Sequence, residues 1–149
     1  MENIVLYLKG RNINYHINNG VIIITSDNGD VYLPNVKEIT ANITFENNGC
    51  VELPDLICIS SNIMFNNNGH VNLESVVQIT IDMNFKNAGY VYLYKLIQLD
   101  ANLEFNNSGW VDLFSLKKCH THIYFNNIGI VYLFYENKIS HNIKYKKTC

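Results

Sequence analysis

The stretch ANLEFNNSGWVDLFSL, Ala101–Leu116, carries apolar residues at every second position on both sides of an Asn-Gly turn. Leu103 and Phe105 precede the turn, and Val111 and Leu113 follow it. A period of two is the mark of a strand with one buried face. Trp110 and Phe114 occupy the alternate positions of the second strand, so that strand is apolar on both sides. Only one side can face its own core.

The same spacing recurs along the chain. Phe45, Phe65, Phe85, Phe105 and Phe125 are 20 residues apart, with Tyr145 in the next slot. Gly29, Gly49, Gly69, Gly89, Gly109 and Gly129 keep that step, as do a valine column from Val31 to Val131 and a leucine column from Leu33 to Leu133. The unit reads N-[IL]-x-F-x-N-x-G-x-V-x-L-x-x-[LV]-x-x-[IL] and runs six times without an insertion. A repeat of this length is one supersecondary unit that buries its apolar side by stacking on its neighbours.

Within a unit, I-x-F and V-x-L have strand period and no 3.6-residue period is present. The Asn-Gly segment between them is expected to supply a tight turn with positive φ. Pro34 and Pro54 stand at the corner after the second strand, where a missing N–H costs little. Strand, turn, strand, corner and short third side describe an all-β parallel solenoid, β-helix-like, of six to seven coils. At about 4.8 Å per coil the rod is on the order of 30 Å long. The inward set is Ile63, Phe65, Val71, Leu73, Val76 and Ile79 with their 20-residue relatives. Two polar columns, Asn47 to Asn127 with Asp27 below, and Asn42, Asn62, Asp82, Asn102, His122 and Asn142, are expected to form amide ladders between coils.

The 149 residues are thus expected to form one domain: an N-terminal cap at 1–20, repeats at 21–140 and a C-terminal cap at 141–149. Lys144, Lys146 and Lys147 would blunt the last exposed edge. A formal net charge of −2 with no basic run before the C-terminus points away from nucleic acid. No stretch has the apolar length of a membrane span, and no signal-peptide pattern opens the chain. Cys50, Cys58, Cys119 and Cys149 show no C-x-x-C spacing, so reduced thiols and a cytoplasmic location are expected. Abundant Asn, Ile, Lys and Tyr with scarce Ala, Arg and Pro is the bias of AT-rich coding DNA, pointing to a low-GC bacterium, its phage or a large virus.

The segment LPDLICISSNIMFNNNG, Leu53–Gly69, resembles repeats of leucine-rich-repeat-like and receptor L-domain-like solenoids, and tandem 20-residue repeats of bacterial and phage proteins. The resemblance covers about residues 21–143 and implies a parallel-strand binding scaffold with no catalytic residues to carry over. Leucine-rich repeats keep one Asn after L-x-L. Here the nearest slot runs through Asn28, Asn48, Asn68, Ala88, Ser108 and Ile128, so a straight rod is expected rather than a horseshoe with helices on its convex side.

The outward positions of the second strand change along the rod. Early coils place Asp30 and Tyr32, Cys50 and Glu52, then His70 and Asn72 there. Later coils place Tyr90, Tyr92 and Tyr94, then Trp110, Asp112 and Phe114, then Ile130, Tyr132 and Phe134. In-register stacking makes these nine a contiguous patch of a few hundred square ångströms, a size that marks interfaces. The expected partner-binding residues are Tyr90, Tyr92, Tyr94, Trp110, Phe114, Ile130, Tyr132 and Phe134, residue types enriched among interface anchors.

Other constellations are weaker. Cys119, His120 and His122, with His141 or Asp100, have the residue types of a zinc site. The expectation is instead a core cysteine, exposed histidines and a substituted Asn ladder, with no metal and no cofactor. Asp82, Asp100, Glu104 and Asp112 are scattered rather than paired as glycoside hydrolysis requires, and no nucleophile or phosphate-binding motif occurs. The expected function is non-enzymatic: a solenoid binding a protein partner, as a phage or mobile-element inhibitor of a host complex such as a defence target (anti-CRISPR-like). The alternatives are a self-associating homodimeric repeat protein and a carbohydrate-binding solenoid with aromatic stacking platforms.

Overall fold

The computed structural model of the chain describes residues 2–25, 29–106, 109–126, 129–133 and 143–145. The strands Ile43–Phe45, Ile63–Phe65, Met83–Phe85, Leu103–Phe105, Ile123–Phe125 and Ile143–Tyr145 stack in parallel, each phenylalanine paired with its 20-residue relative. A second sheet of six strands runs from Val31–Tyr32 to Val131–Leu133, and a third of four runs from Cys58–Ile59 to Lys118–Cys119. The three sheets are the three sides of a parallel β-solenoid of about five turns with a period of about 20 residues. That is fewer than the expected six to seven coils, although Val21–Ile24 and Val31–Tyr32 of the first repeat already stack in parallel on the next coil.

The core is a set of ladders. Phe45, Phe65, Phe85, Phe105 and Phe125 are at most 2% exposed, and their ring centroids step by 5.0–5.3 Å with planes within 10° of parallel. The strand repeat of about 4.8 Å imposes that step, which is too long for flat stacking, so the rings meet offset. Valine and leucine columns of the second sheet line the opposite wall; Val51, Leu53, Val71, Leu73, Val111 and Leu113 are fully buried. The corner after each leucine closes by one turn, as in Leu56 N–H to Leu53 O at 3.2 Å and Leu96 N–H to Leu93 O at 2.9 Å. Pro54 sits second in its turn, where its fixed φ suits the geometry.

The repeated glycines have a different cause from the one expected. Among the described residues, positive φ occurs at Gly29 but not in the later members of its column. Those glycines are held by close approach. A Cβ placed on Gly69 would lie 2.5 Å from the Gly49 carbonyl carbon, and one on Gly109 would lie 2.6 Å from that of Gly89. The glycine backbones bond directly, Gly69 N–H to Gly49 O at 3.1 Å and Gly89 N–H to Gly69 O at 3.2 Å.

The inner asparagines also differ from the expected amide-to-amide ladder. Asn47, Asn67 and Asn87 are 1–2% exposed, and each Nδ2 donates to the glycine carbonyl one coil below, at 2.6, 3.0 and 3.2 Å. Each also donates within its own turn, to Cys50 O, His70 O and Tyr90 O respectively. Among the described residues their Oδ1 atoms have no hydrogen-bond partner. These side chains act as donors that tie turn to turn. Amide-to-amide bonds occur elsewhere, from Asn68 to Asn48 and from Asn126 to Asn106. The outer column bonds too: the Asn102 amide donates to Asp82 Oδ2, and Asn102 Oδ1 accepts from His122 N–H. Asp27, Asn107, Asn127 and Asn142 lie outside the described residues.

The N-terminal end is closed by an α-helix, Glu2–Gly10, which puts Ile4 and Leu8 onto the core, and by a hairpin. Tyr15–Asn18 pairs antiparallel with Val21–Ile24, which in turn pairs parallel with Ile43–Phe45. The hairpin turn is Asn19-Gly20, with φ of 47° and 78°, the Asn-Gly turn whose twist matches the strands it joins. The Tyr7 hydroxyl donates to Pro34 O, pinning the helix to the first corner. No helix among the described residues is long and apolar enough to cross a membrane. At the other end only Ile143–Tyr145 of the expected C-terminal cap is described, so Lys146 and Lys147 fall outside.

Two substitutions test this account by urea denaturation. Gly69→Ala should cost roughly 1–3 kcal/mol through overpacking, whereas Gly10→Ala, with nothing within 4 Å of the added carbon, should be near neutral. Asn67→Asp should cost about 3–5 kcal/mol, because a buried carboxylate cannot donate to Gly49 O or His70 O. Equal stability of the Gly69 and Gly10 variants would exclude coil contact as the reason for the glycine column.

Candidate functional site: an aromatic face on the second sheet

Alternation along the second sheet sends valine and leucine inward and leaves the intervening residues outside. In the lower coils the outward column before the strand is a chain of acceptors. Asp30 Oδ1 accepts from Cys50 N–H at 2.7 Å, Cys50 Sγ from His70 N–H at 3.4 Å, and His70 Nδ1 from Tyr90 N–H at 3.0 Å. Asp30 and His70 reach up beside Gly49 and Gly89, which have no Cβ to block them. From Tyr90 the slot holds rings instead of short acceptors, and the surface changes character.

The rings touch one another. Tyr90 lies 5.0 Å from Trp110 between centroids, Trp110 meets Tyr132 edge-on at 5.8 Å, and Tyr94 stacks on Phe114 at 5.9 Å with planes 5° apart. His70 joins from below, stacked on Tyr90 at 4.3 Å, so the ring system begins one coil earlier than expected. Trp110, Phe114, Tyr94 and Tyr132 remain 43–49% exposed, and Ile130 51%. Tyr92 is exposed beside them and Tyr90 half-buried. The structure thus brings together Tyr90, Tyr92, Tyr94, Trp110, Phe114 and Tyr132 around an open hollow of about 310 Å³. Ile130 is on the same sheet at its upper edge, and Phe134 lies outside the described residues.

Asp112 belongs to this hollow and was not among the expected binding residues. It pairs across the sheet with Tyr92 below and Tyr132 above, and Trp110 and Phe114 flank it two residues away on its own strand. Its Oδ1 accepts the Phe114 N–H at 3.0 Å. The same local bond holds Asn72 two coils below, where Glu74 N–H donates to Asn72 Oδ1 at 3.1 Å. The 20-residue register already put Asp112 in the nine-residue patch; its backbone bond and its place in the hollow are what the structure adds.

A larger groove of about 650 Å³ runs along the first sheet between Asn42 and Tyr124. Its carboxylates are already engaged: Asp82 accepts from Asn102, and Glu104 from Asn84 and Asn126. A ligand there would have to displace these bonds, whereas the aromatic hollow presents ring faces that nothing in the chain covers among the described residues.

The histidine cluster lies on the third side. Asp100 takes hydrogen bonds from His120 Nδ1 at 2.8 Å, Gln78 at 2.9 Å and Gln98 at 2.7 Å. Cys119 is buried with its thiol donating to Thr121 O, and the His122 ring rests against Tyr124. His141 lies outside the described residues, and no group of three or more His, Cys, Asp or Glu among the described residues could hold a metal ion. The hydrogen bond from His120, then those from Gln78 and Gln98, hold the Asp100 carboxyl below the usual carboxylate range against a smaller opposing effect of desolvation. A folded-state value below the unfolded one stabilises the protein above about pH 4, and that stabilisation is lost as pH falls through the folded value. Wild type should therefore lose more stability than Asp100→Asn between about pH 5 and pH 2 in urea titrations; identical losses would mean the cluster adds nothing to folding.

Compared with protein-family models, curated proteins and solved structures, the chain matches none.

Proposed function

We propose that this chain is a non-enzymatic binding module whose second-sheet aromatic face docks a protein partner. The observation that carries the proposal is the set of exposed, mutually contacting rings around an open hollow on a backbone that register-locked coils hold rigid. Tyrosine and tryptophan supply large contact area at low entropic cost because few torsions are frozen on binding. Parallel strands bonded on both sides cannot splay, so the rings are pre-organised and a partner does not bear the cost of ordering them. A face with contact area and no reacting groups works by occlusion, covering a surface on its partner. An inhibitor of a host protein in the cytosol, encoded by a phage or mobile element, is the role we assign to it.

Trp110→Glu and Tyr92→Ser should each abolish capture of the partner from the source cell while shifting unfolding stability by no more than about 0.5 kcal/mol, as exposed substitutions do. Capture by both variants at the wild-type level, with the fold intact, would remove the face from the interaction. A dimer in light scattering that both variants dissolve would assign the face to a second copy of the chain.

A further inference from the structure

The docking face has a chemical centre. Its rings surround one carboxylate, Asp112, whose cross-sheet neighbours are Tyr92 and Tyr132 and whose strand neighbours are Trp110 and Phe114. The Phe114 N–H holds Oδ1, and Oδ2 has no hydrogen-bond partner among the described residues. No cation of the described residues lies within ion-pair distance of Asp112; the one salt bridge among them joins His120 to Asp100. Lys95 lines the adjoining hollow, which shares Tyr92, Tyr94 and Asp112 with the first, yet makes no ion pair there. That adjoining hollow also carries Glu74.

A neutral apolar partner would bury this carboxylate unpaired, stripping its hydration with nothing to replace it. A phosphate-bearing partner would meet like charge. A second copy fits poorly as well: an isologous contact centred on the face sets Asp112 against the copy's Asp112 in a closing apolar interface. The chain's only arginine, Arg11, is already seated over the Tyr7 ring, 4.9 Å from its centroid.

Resting on the proposal that this face docks a protein, we infer that its occupant presents an arginine side chain, seated on the Asp112 carboxylate between the surrounding rings. Ring faces and a carboxylate together match a guanidinium better than an ammonium. The guanidinium is planar, weakly hydrated, stacks on aromatic faces and pairs with a carboxylate through two parallel N–H donors. The partner is therefore a polypeptide with a basic segment, and its charge complements both Asp112 and the nearby Glu74.

The test uses the full chain and its only tryptophan, Trp110, which reports from within the hollow. Two Gly/Ser peptides, identical except for a central arginine or its neutral isostere citrulline, are titrated while Trp110 emission is followed. The arginine peptide should bind at least tenfold more tightly than the citrulline peptide, and Asp112→Asn, shown folded by circular dichroism, should erase that preference. Equal binding of the two peptides, a preference that survives Asp112→Asn, or no response to the arginine peptide up to about 10 mM overturns the inference. Partner capture separates it from the docking proposal. Capture that survives Asp112→Asn but fails with Trp110→Glu overturns the arginine and leaves the docking face in place; capture that survives both removes the face itself.

Discussion

Glycine stacked on glycine is the contact on which the rest of this fold depends. At the turn between the first and second sheets the backbones of successive coils come so close that a methyl group on Gly69 would sit 2.5 Å from the carbonyl carbon of Gly49. That approach lets Gly69 N–H bond to Gly49 O and lets Asn67 donate to the same carbonyl. With the turn pinned, neither strand can slip against its copy, because a slip of one residue would turn the phenylalanine and leucine columns outward. Register, core and surface pattern all follow from keeping the turns in contact.

The buried asparagines strengthen the turn and also expose a cost. Each amide donates to at least two carbonyls and leaves its Oδ1 without a partner among the described residues. An unsatisfied buried acceptor costs about 1–3 kcal/mol, so the donated bonds must outweigh it for the column to stabilise the stack. Asparagine is suited to this slot because it donates without carrying charge. A carboxylate would have nothing to give.

A rigid scaffold turns the outward side chains into a two-dimensional array. Strand period sets one axis, about 7 Å between alternate residues, and coil spacing sets the other, about 4.8 Å. Any property that changes from coil to coil therefore becomes a gradient along the rod. On the second sheet that gradient runs from acceptors at Asp30, Cys50 and His70 to rings at Tyr90 and Trp110. His70 stands at the boundary and does both, accepting from Tyr90 N–H and stacking on its ring.

The amino-acid sequence by itself determined the period, the inward columns and the place where the surface becomes aromatic, because a 20-residue repeat combined with alternation assigns every residue a coil, a side and a face. It also placed the Trp110 and Tyr92 rings on one face without any contact being known. Only the tertiary structure decided the rest. The N-terminal unit became a helix and a hairpin because Ile4 and Leu8 are a single helical pair, too short a pattern to read in isolation, and they acquire a purpose only against the open end of the core. From Gly49 onward the glycines proved to be kept by contact rather than by torsion, and the inner asparagines to donate to backbone rather than to each other, since both depend on atoms one coil away. For Asp112 the repeat register already implied the neighbours Tyr92 and Tyr132, and the structure added the bond from Phe114 N–H and the hollow that the carboxylate lines.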